Sequence, residues 1–151
     1  MKVGIAISSG GHLTEILQLE SILKKHKRFF ITLKRSDSQE LAKKGENVYF
    51  VSDFSKNYFN VIENFLKSLL VILKEKPDVI ISTGASPAIP SLFIGKLFGV
   101  KIVFIETFAR IYDPTKTGKI VYPIADLFLV QWKQLLHKYG EKAKYWGVIF
   151  G

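Results

Sequence analysis

The sequence predicts an α/β fold, a Rossmann-like open parallel sheet with helices on both faces. Three observations lead there. Short apolar runs alternate along the chain with longer segments of helical periodicity, the order expected of strand and crossover helix. The runs are apolar throughout instead of alternating, as strands covered on both faces are. Finally, 151 residues suffice for one core but fall short of a closed eightfold barrel, so the sheet stays open.

The first strand is Lys2–Ile7; its apolar run is too short for a signal-peptide core and has no cleavage site after it. A helix over 12–25 follows, with Ile16, Leu17, Leu19 and Leu23 at amphipathic spacing and Thr14 and Glu15 in its first turn. Further strands are predicted at 29–33, Val48–Val51, 79–82, 102–105 and Leu127–Val130, and further helices at 57–74, 87–98, 118–125 and 132–137. Pro87 suits the first turn of its helix. There is no repeat, low-complexity tract or linker, so residues 1–151 form a single domain. The apolar segment 145–151 either docks on a partner or adds a final strand.

Composition narrows the function. Hydrophobic residues at 48% and charged residues at 23% exclude a disordered chain. The lack of cysteine excludes disulfides, thiolate zinc sites and a cysteine nucleophile, and it fits a reducing cytosol. The longest uncharged stretch, 79–95, is interrupted by Gly84, Pro87 and Pro90, so no spanning helix is expected. A net charge of +9 favours an anionic partner: a phosphate, a nucleic acid or an anionic lipid surface. The lysines are scattered and no nucleic-acid motif is present, which argues against nucleic acid.

In an open parallel sheet, ligands bind beyond the carboxyl ends of the strands. There the first loop reads Ser8-Ser9-Gly10-Gly11-His12. Its glycines permit a tight turn and close backbone approach, fitting either a diphosphate cradle or a plain strand-to-helix turn. His12 opens the helix, as a neutral base or as a capping residue. The three-glycine nicotinamide fingerprint and its acidic partner are absent, Lys34-Arg35 standing at the latter position, and no kinase-type phosphate loop closes the run. Ser82-Thr83-Gly84-Ala85-Ser86-Pro87 supplies small residues and hydroxyls after the fourth strand. Glu106-Thr107-Phe108-Ala109-Arg110 places a carboxylate and a guanidinium at the same edge, to face the crevice or to pair with each other.

These loops, together with Thr117-Gly118-Lys119, Tyr122-Pro123-Ile124-Ala125-Asp126 and Gln131-Trp132, occur in the order and spacing of one family. The chain resembles the membrane-associated subunit of the two-subunit N-acetylglucosaminyltransferase that adds the second sugar to dolichol diphosphate, and its bacterial PssD-type relatives in capsule and exopolysaccharide synthesis. The resemblance covers nearly the whole chain. It implies a split, inverting glycosyltransferase of the GT-B class in which this chain is the N-terminal, acceptor-binding half. A separate subunit would bind the UDP-sugar, GlcNAc or a related one, in a heterodimer or larger assembly, and this chain alone would be inactive. No metal and no cofactor are implied.

The glycine-histidine loop also resembles the acceptor loop of the lipid II-forming transferase of peptidoglycan synthesis. By that resemblance the lipid diphosphate would meet Ser8, Ser9, Gly10 and Gly11, with Thr83, Gly84 and Arg110 completing its site. His12 would be the base for the acceptor hydroxyl, and Glu106 the competing candidate. A non-catalytic scaffold that recruits a complete transferase to the membrane is the alternative.

Eukaryotic members carry an N-terminal anchor, whereas this chain begins at its first strand, so attachment to the cytoplasmic face of the membrane is expected to be peripheral. The helix 57–74 offers a means. Its apolar face is broader than a core stripe, and Lys56, Lys67 and Lys74 lie near it, a pattern for an anionic bilayer or for a buried crossover helix. Tyr58 and Phe59 are the expected lipid contacts, with Phe108, Ile111 and Tyr112 extending them.

Overall fold

The computed structural model describes residues 1–53 and 57–150; Lys56 and Gly151, both invoked above, lie outside the described residues. Among the described residues, seven strands form one sheet: β1 (Lys2–Ile7), β2 (Lys27–Leu33), β3 (Val48–Val51), β4 (Val79–Gly84), β5 (Lys101–Ile105), β6 (Leu127–Val130) and β7 (Ala143–Tyr145). Their order is β3-β2-β1-β4-β5-β6-β7, and every neighbouring pair is parallel. Order therefore reverses at β1, and all carboxyl ends meet at one edge.

Side chains alternate across the strands with period two. Val3, Ile5 and Ile7 of β1 pack with Leu13, Ile16 and Leu23 on one face. Ala6 joins Phe29, Ile31, Ile80, Leu92 and Phe104 on the other. The helices are α1 (Gly11–Leu17), α2 (Glu20–Leu23), α3 (Ser36–Lys43), α4 (Tyr58–Glu75), α5 (Ile89–Leu97), α6 (Lys116–Val121) and α7 (Leu136–Tyr139), with short 3₁₀ turns at Ser86–Ala88 and Lys133–Leu135. Gly95 lets α5 lie close on β4, since a Cβ there would stand 2.5 Å from Ile80 Cδ1.

Three expectations need correction. The single helix 12–25 is two helices, because the amides of Gln18 and Leu19 turn to the carbonyls three residues back and tighten the chain. The segment after β2 is a helix, α3, which the periodicity missed: only Ser38 is buried in it, so it shows no apolar stripe. Ser38 holds its start, its Oγ donating to the Leu33 carbonyl at 2.6 Å and accepting from the Arg35 amide at 3.0 Å. The terminal segment does contribute to a last strand, but β7 takes only Tyr145 from it.

The helix α4 covers nearly the predicted range and divides its apolar residues between core and solvent. It starts on Asn57, whose Oδ1 accepts from the Phe59 amide at 3.0 Å, and ends at Lys76 with φ 48°. Inward it buries polar Asn64 and Ser68 beside Val71 and Ile72. The Asn64 amide donates to the carbonyls of Ser52 and Pro87 at 2.9 and 3.2 Å, and Ser68 bonds Asn64 and Ser91, each at 3.0 Å. Outward it exposes Tyr58, Phe59, Ile62, Leu66, Leu70 and Leu73, Tyr58 at 91% and Phe59 at 79%. Ser52 follows β3 and Pro87 follows β4, so the start of α4 lies at the carboxyl edge of the sheet. Among the described residues, no helix is long and apolar enough to cross a membrane.

Candidate functional site

At the reversal point Ile7 pairs with Gly84, which sets the loop after β4 beside the loop after β1. Thr83 is buried and its hydroxyl donates to the His12 carbonyl at 3.1 Å. Gly84, at φ +119°, packs its α-carbon on the imidazole; a Cβ there would lie 3.2 Å from His12 Cε1. Thr83 and Gly84, expected at the diphosphate, both adjoin His12. The His12 side chain keeps 24% of its surface exposed.

The glycine loop is held from α3. The Gly10 amide, at φ +81°, donates to Asp37 Oδ2 at 2.6 Å, so that amide already faces a carboxylate. Gly11 faces open space. Ser8 donates its hydroxyl to the Ser9 carbonyl at 3.2 Å. Ser9 Oγ is buried and, among the described residues, has no hydrogen-bond partner.

A cavity of about 410 Å³ opens at this edge, lined by Gly11, His12, Glu15, Thr107, Phe108, Ala109 and Phe150. Phe108 forms its wall. Its amide donates to Glu15 Oε1 at 2.6 Å and its carbonyl accepts from Trp132 Nε1 at 2.8 Å. Its ring stands 5.0 Å from the Trp132 ring and 5.2 Å from that of Phe150. Phe108 is half-buried here and lines the cavity. Ile111 and Tyr112 are exposed further along the loop, at 37% and 67%.

Glu106 departs from the expectation of a base facing the crevice. Its side chain is wholly buried. The carboxylate accepts from the Thr107 and Thr115 amides at 3.0 Å, from the Thr115 hydroxyl at 3.0 Å and from the Tyr139 phenol. Gly118 makes the room, since a Cβ there would stand 2.5 Å from Glu106 Oε2. Burial and the bond to Glu106 push the Tyr139 phenol well above its ordinary value. Glu106 therefore organises the loop 106–118, and it neither reaches the cavity nor pairs with Arg110. Arg110 is exposed and does not line the cavity; its amide bonds the Thr107 carbonyl at 3.1 Å.

Two residues without a chemical role in the sequence reading prove central, Glu15 and Gln131. The Gln131 amide nitrogen donates to Glu15 Oε1 and to the Glu106 carbonyl, and its oxygen accepts from the Ile149 amide at 2.9 Å. The terminal segment is thereby tied back to the cavity. Glu15 is visible in the sequence only as a helix residue three positions after His12.

The family described as "Oligosaccharide biosynthesis protein Alg14 like" matches residues 51–149. The UDP-N-acetylglucosamine transferase subunit ALG14 of Candida albicans is 28% identical over 171 residues, covering 98% of this chain and 78% of that protein. Its human counterpart of the same name is 26% identical over 184 residues, covering 99% and 83%. In fold the chain is similar to Acinetobacter baumannii MurG, with a TM-score of 0.80 at 14% identity over 98% of this chain. It is also similar to a Rickettsia bellii UDP-N-acetylglucosamine 2-epimerase, with a TM-score of 0.76 at 17% identity over 99% of the chain. The chain spans 45% of each of those two structures, the share of one Rossmann-like half of a GT-B architecture. With its family model covering more than half of its residues, this chain belongs to the Alg14-like family of oligosaccharide biosynthesis proteins.

Proposed function

We propose that this chain is the acceptor-binding, membrane-facing subunit of a split, inverting glycosyltransferase that transfers GlcNAc or a related sugar from a UDP-sugar to a polyprenyl-diphosphate-linked sugar. A separate subunit supplies the donor half. One observation carries the reading: His12 is held by the loop after β4 at the mouth of the cavity, on the edge where strand order reverses. There it takes the proton of the acceptor hydroxyl as that oxygen bonds the anomeric carbon of the donor, whose bond to UDP breaks with the electron pair leaving on the diphosphate. The burial of Glu106 supports His12 as the base.

The open space at Gly11 and the buried, unpartnered Ser9 hydroxyl support a place for the acceptor diphosphate beside His12, with exposed Arg110 on the loop after β5 as a candidate cation for it. The Gly10 amide serves such an anion only if Asp37 gives way. The acceptor's lipid chain runs toward the bilayer, and the exposed face of α4, led by Tyr58 and Phe59, begins at the same sheet edge. The net charge of +9 suits an anionic cytoplasmic leaflet.

The test is reconstitution. The purified chain alone should show no transfer, and adding the donor-binding subunit should restore it; full turnover by the single chain would sink the split-enzyme reading. In the complex, His12→Ala should lower kcat by about 10²–10⁴-fold, the usual worth of a positioned general base. Undiminished turnover with His12→Ala would favour the scaffold.

A further inference from the structure

Glu15 is 3% exposed, and its two oxygens are unequally engaged. Oε1 accepts from the Phe108 amide and from Gln131 Nε2. Oε2 faces His12 Nδ1 at 3.9 Å, one turn back on α1. Nδ1 is itself buried and, among the described residues, has no hydrogen-bond partner. A buried ring nitrogen and a carboxylate oxygen thus face each other, and an uncompensated polar atom in such a place is costly.

Only one tautomer of the neutral ring relieves this. A proton on Nδ1 points at the carboxylate, whereas a lone pair there would meet the negative charge. With the proton on Nδ1, the lone pair lies on Nε2, the nitrogen not closed off by the fold. The gap of 3.9 Å closes by a small side-chain rotation, and such bonds are often long before substrate binds.

Resting on the transferase reading above, we infer that Glu15 is a positioning residue for the transfer: it fixes His12 as the Nδ1–H tautomer, stabilises the imidazolium formed when Nε2 takes the acceptor proton, and is itself held by Gln131 and the Phe108 amide. The same carboxylate that aims the base also fixes the aromatic wall of the cavity. Base and cavity wall are therefore tied to one carboxylate.

The experiment is ¹⁵N NMR of the imidazoles in the labelled full chain, the His12 signals being assigned with His12→Asn. Wild type should show His12 protonated at Nδ1. In Glu15→Gln the amide oxygen keeps the bonds from Phe108 and Gln131 while the NH₂ donates to Nδ1, so His12 should switch to the Nε2–H form. In the reconstituted complex the same variant should lose about 10²–10⁴-fold in kcat, as wrong-tautomer variants of catalytic histidines do. Its KM for the lipid acceptor and its melting temperature should stay close to wild type.

An Nε2–H tautomer in wild type overturns the inference, and this holds even if Glu15→Gln fails to fold. An unchanged tautomer in Glu15→Gln, or a switched tautomer with normal kcat, overturns it equally. If the tautomer responds as described but no wild-type complex transfers sugar, the His12–Glu15 pair stands and the transferase reading falls.

Discussion

Gly84 carries the imidazole of His12 on its bare α-carbon, at a φ of +119° that L side chains rarely adopt. Gly84→Ala should cost about 1–2 kcal/mol of stability from backbone strain alone, and its Cβ should displace the ring. Thermal melts and steady-state kinetics of the complex read the two effects separately, with kcat falling while the donor KM holds. Tyr139 gives a second prediction. Burial and the Glu106 carboxylate raise its pKa in the fold, while in the unfolded chain the phenol ionises near pH 10. Below that pH both states are protonated and the contribution is intact; above it only the unfolded state gains from ionising. Stability should therefore fall as pH rises past about 10, and Tyr139→Phe should flatten that limb in denaturant titrations at increasing pH. At this scale the sequence marked His12 and its glycine loop by local spacing alone. It could not mark Gln131, which meets Glu15 across 116 residues. Nor could it show that Glu106 points inward, because a carboxylate at a strand end reads the same whether it faces the crevice or the loop behind it.

Among the elements, α4 is fixed at its far end by Glu75. The carboxylate pairs with Lys2 Nζ at 2.8 Å and accepts from Asn47 Nδ2 at 3.0 Å and from the Tyr49 hydroxyl, joining α4 to the starts of β1 and β3. Burial works against its charge, but these partners outweigh it and hold its carboxyl below the ordinary range. Its contribution is present above the unfolded value of about 4.3 and is lost as pH falls through the depressed folded value. Glu75→Gln should destabilise by about 1–3 kcal/mol at neutral pH, and the gap to wild type should close in acid.

The outward face of α4 makes a different prediction. Ile62 and Leu66 are 60% and 57% exposed, so the double change Ile62→Ser, Leu66→Ser should leave the melting temperature nearly unchanged. It should weaken binding to anionic vesicles about tenfold or more, given about 1.5–3 kcal/mol for each large apolar side chain buried. Unaltered vesicle co-sedimentation would remove α4 as the membrane contact. The sequence left this helix open between bilayer and core because its count of apolar residues fits both. Packing decides, through Asn64 and Ser68, which bond inward and turn the aliphatic side chains out.

For the molecule as a whole, length and charge act together. The chain spans 45% of the MurG structure, and on the split-enzyme reading proposed above transfer is expected only from the complex. The excess of nine positive charges should make vesicle binding weaken as salt rises from about 0.05 to 0.5 M, where the screening length shrinks from above 10 Å to a few ångströms. Binding indifferent to salt would assign the whole interaction to the apolar face of α4.

The sequence by itself determined the parallel α/β class, the first six strands in order along the chain, and the loop in which His12 stands. These depend on periodicity and on neighbours within a few residues, where strand and helix geometry leave few choices. The tertiary structure alone decided that Thr83 and Gly84 contact His12, that Glu106 is enclosed, that Glu15 stands behind the imidazole, and that α4 turns Tyr58, Phe59, Ile62 and Leu66 outward while burying Val71 and Ile72. Each of these depends on which groups from distant parts of the chain are buried together. Burial presses polar atoms to find partners, and the partner that Glu106 or Glu15 finds is fixed by the packing of the sheet rather than by distance along the sequence.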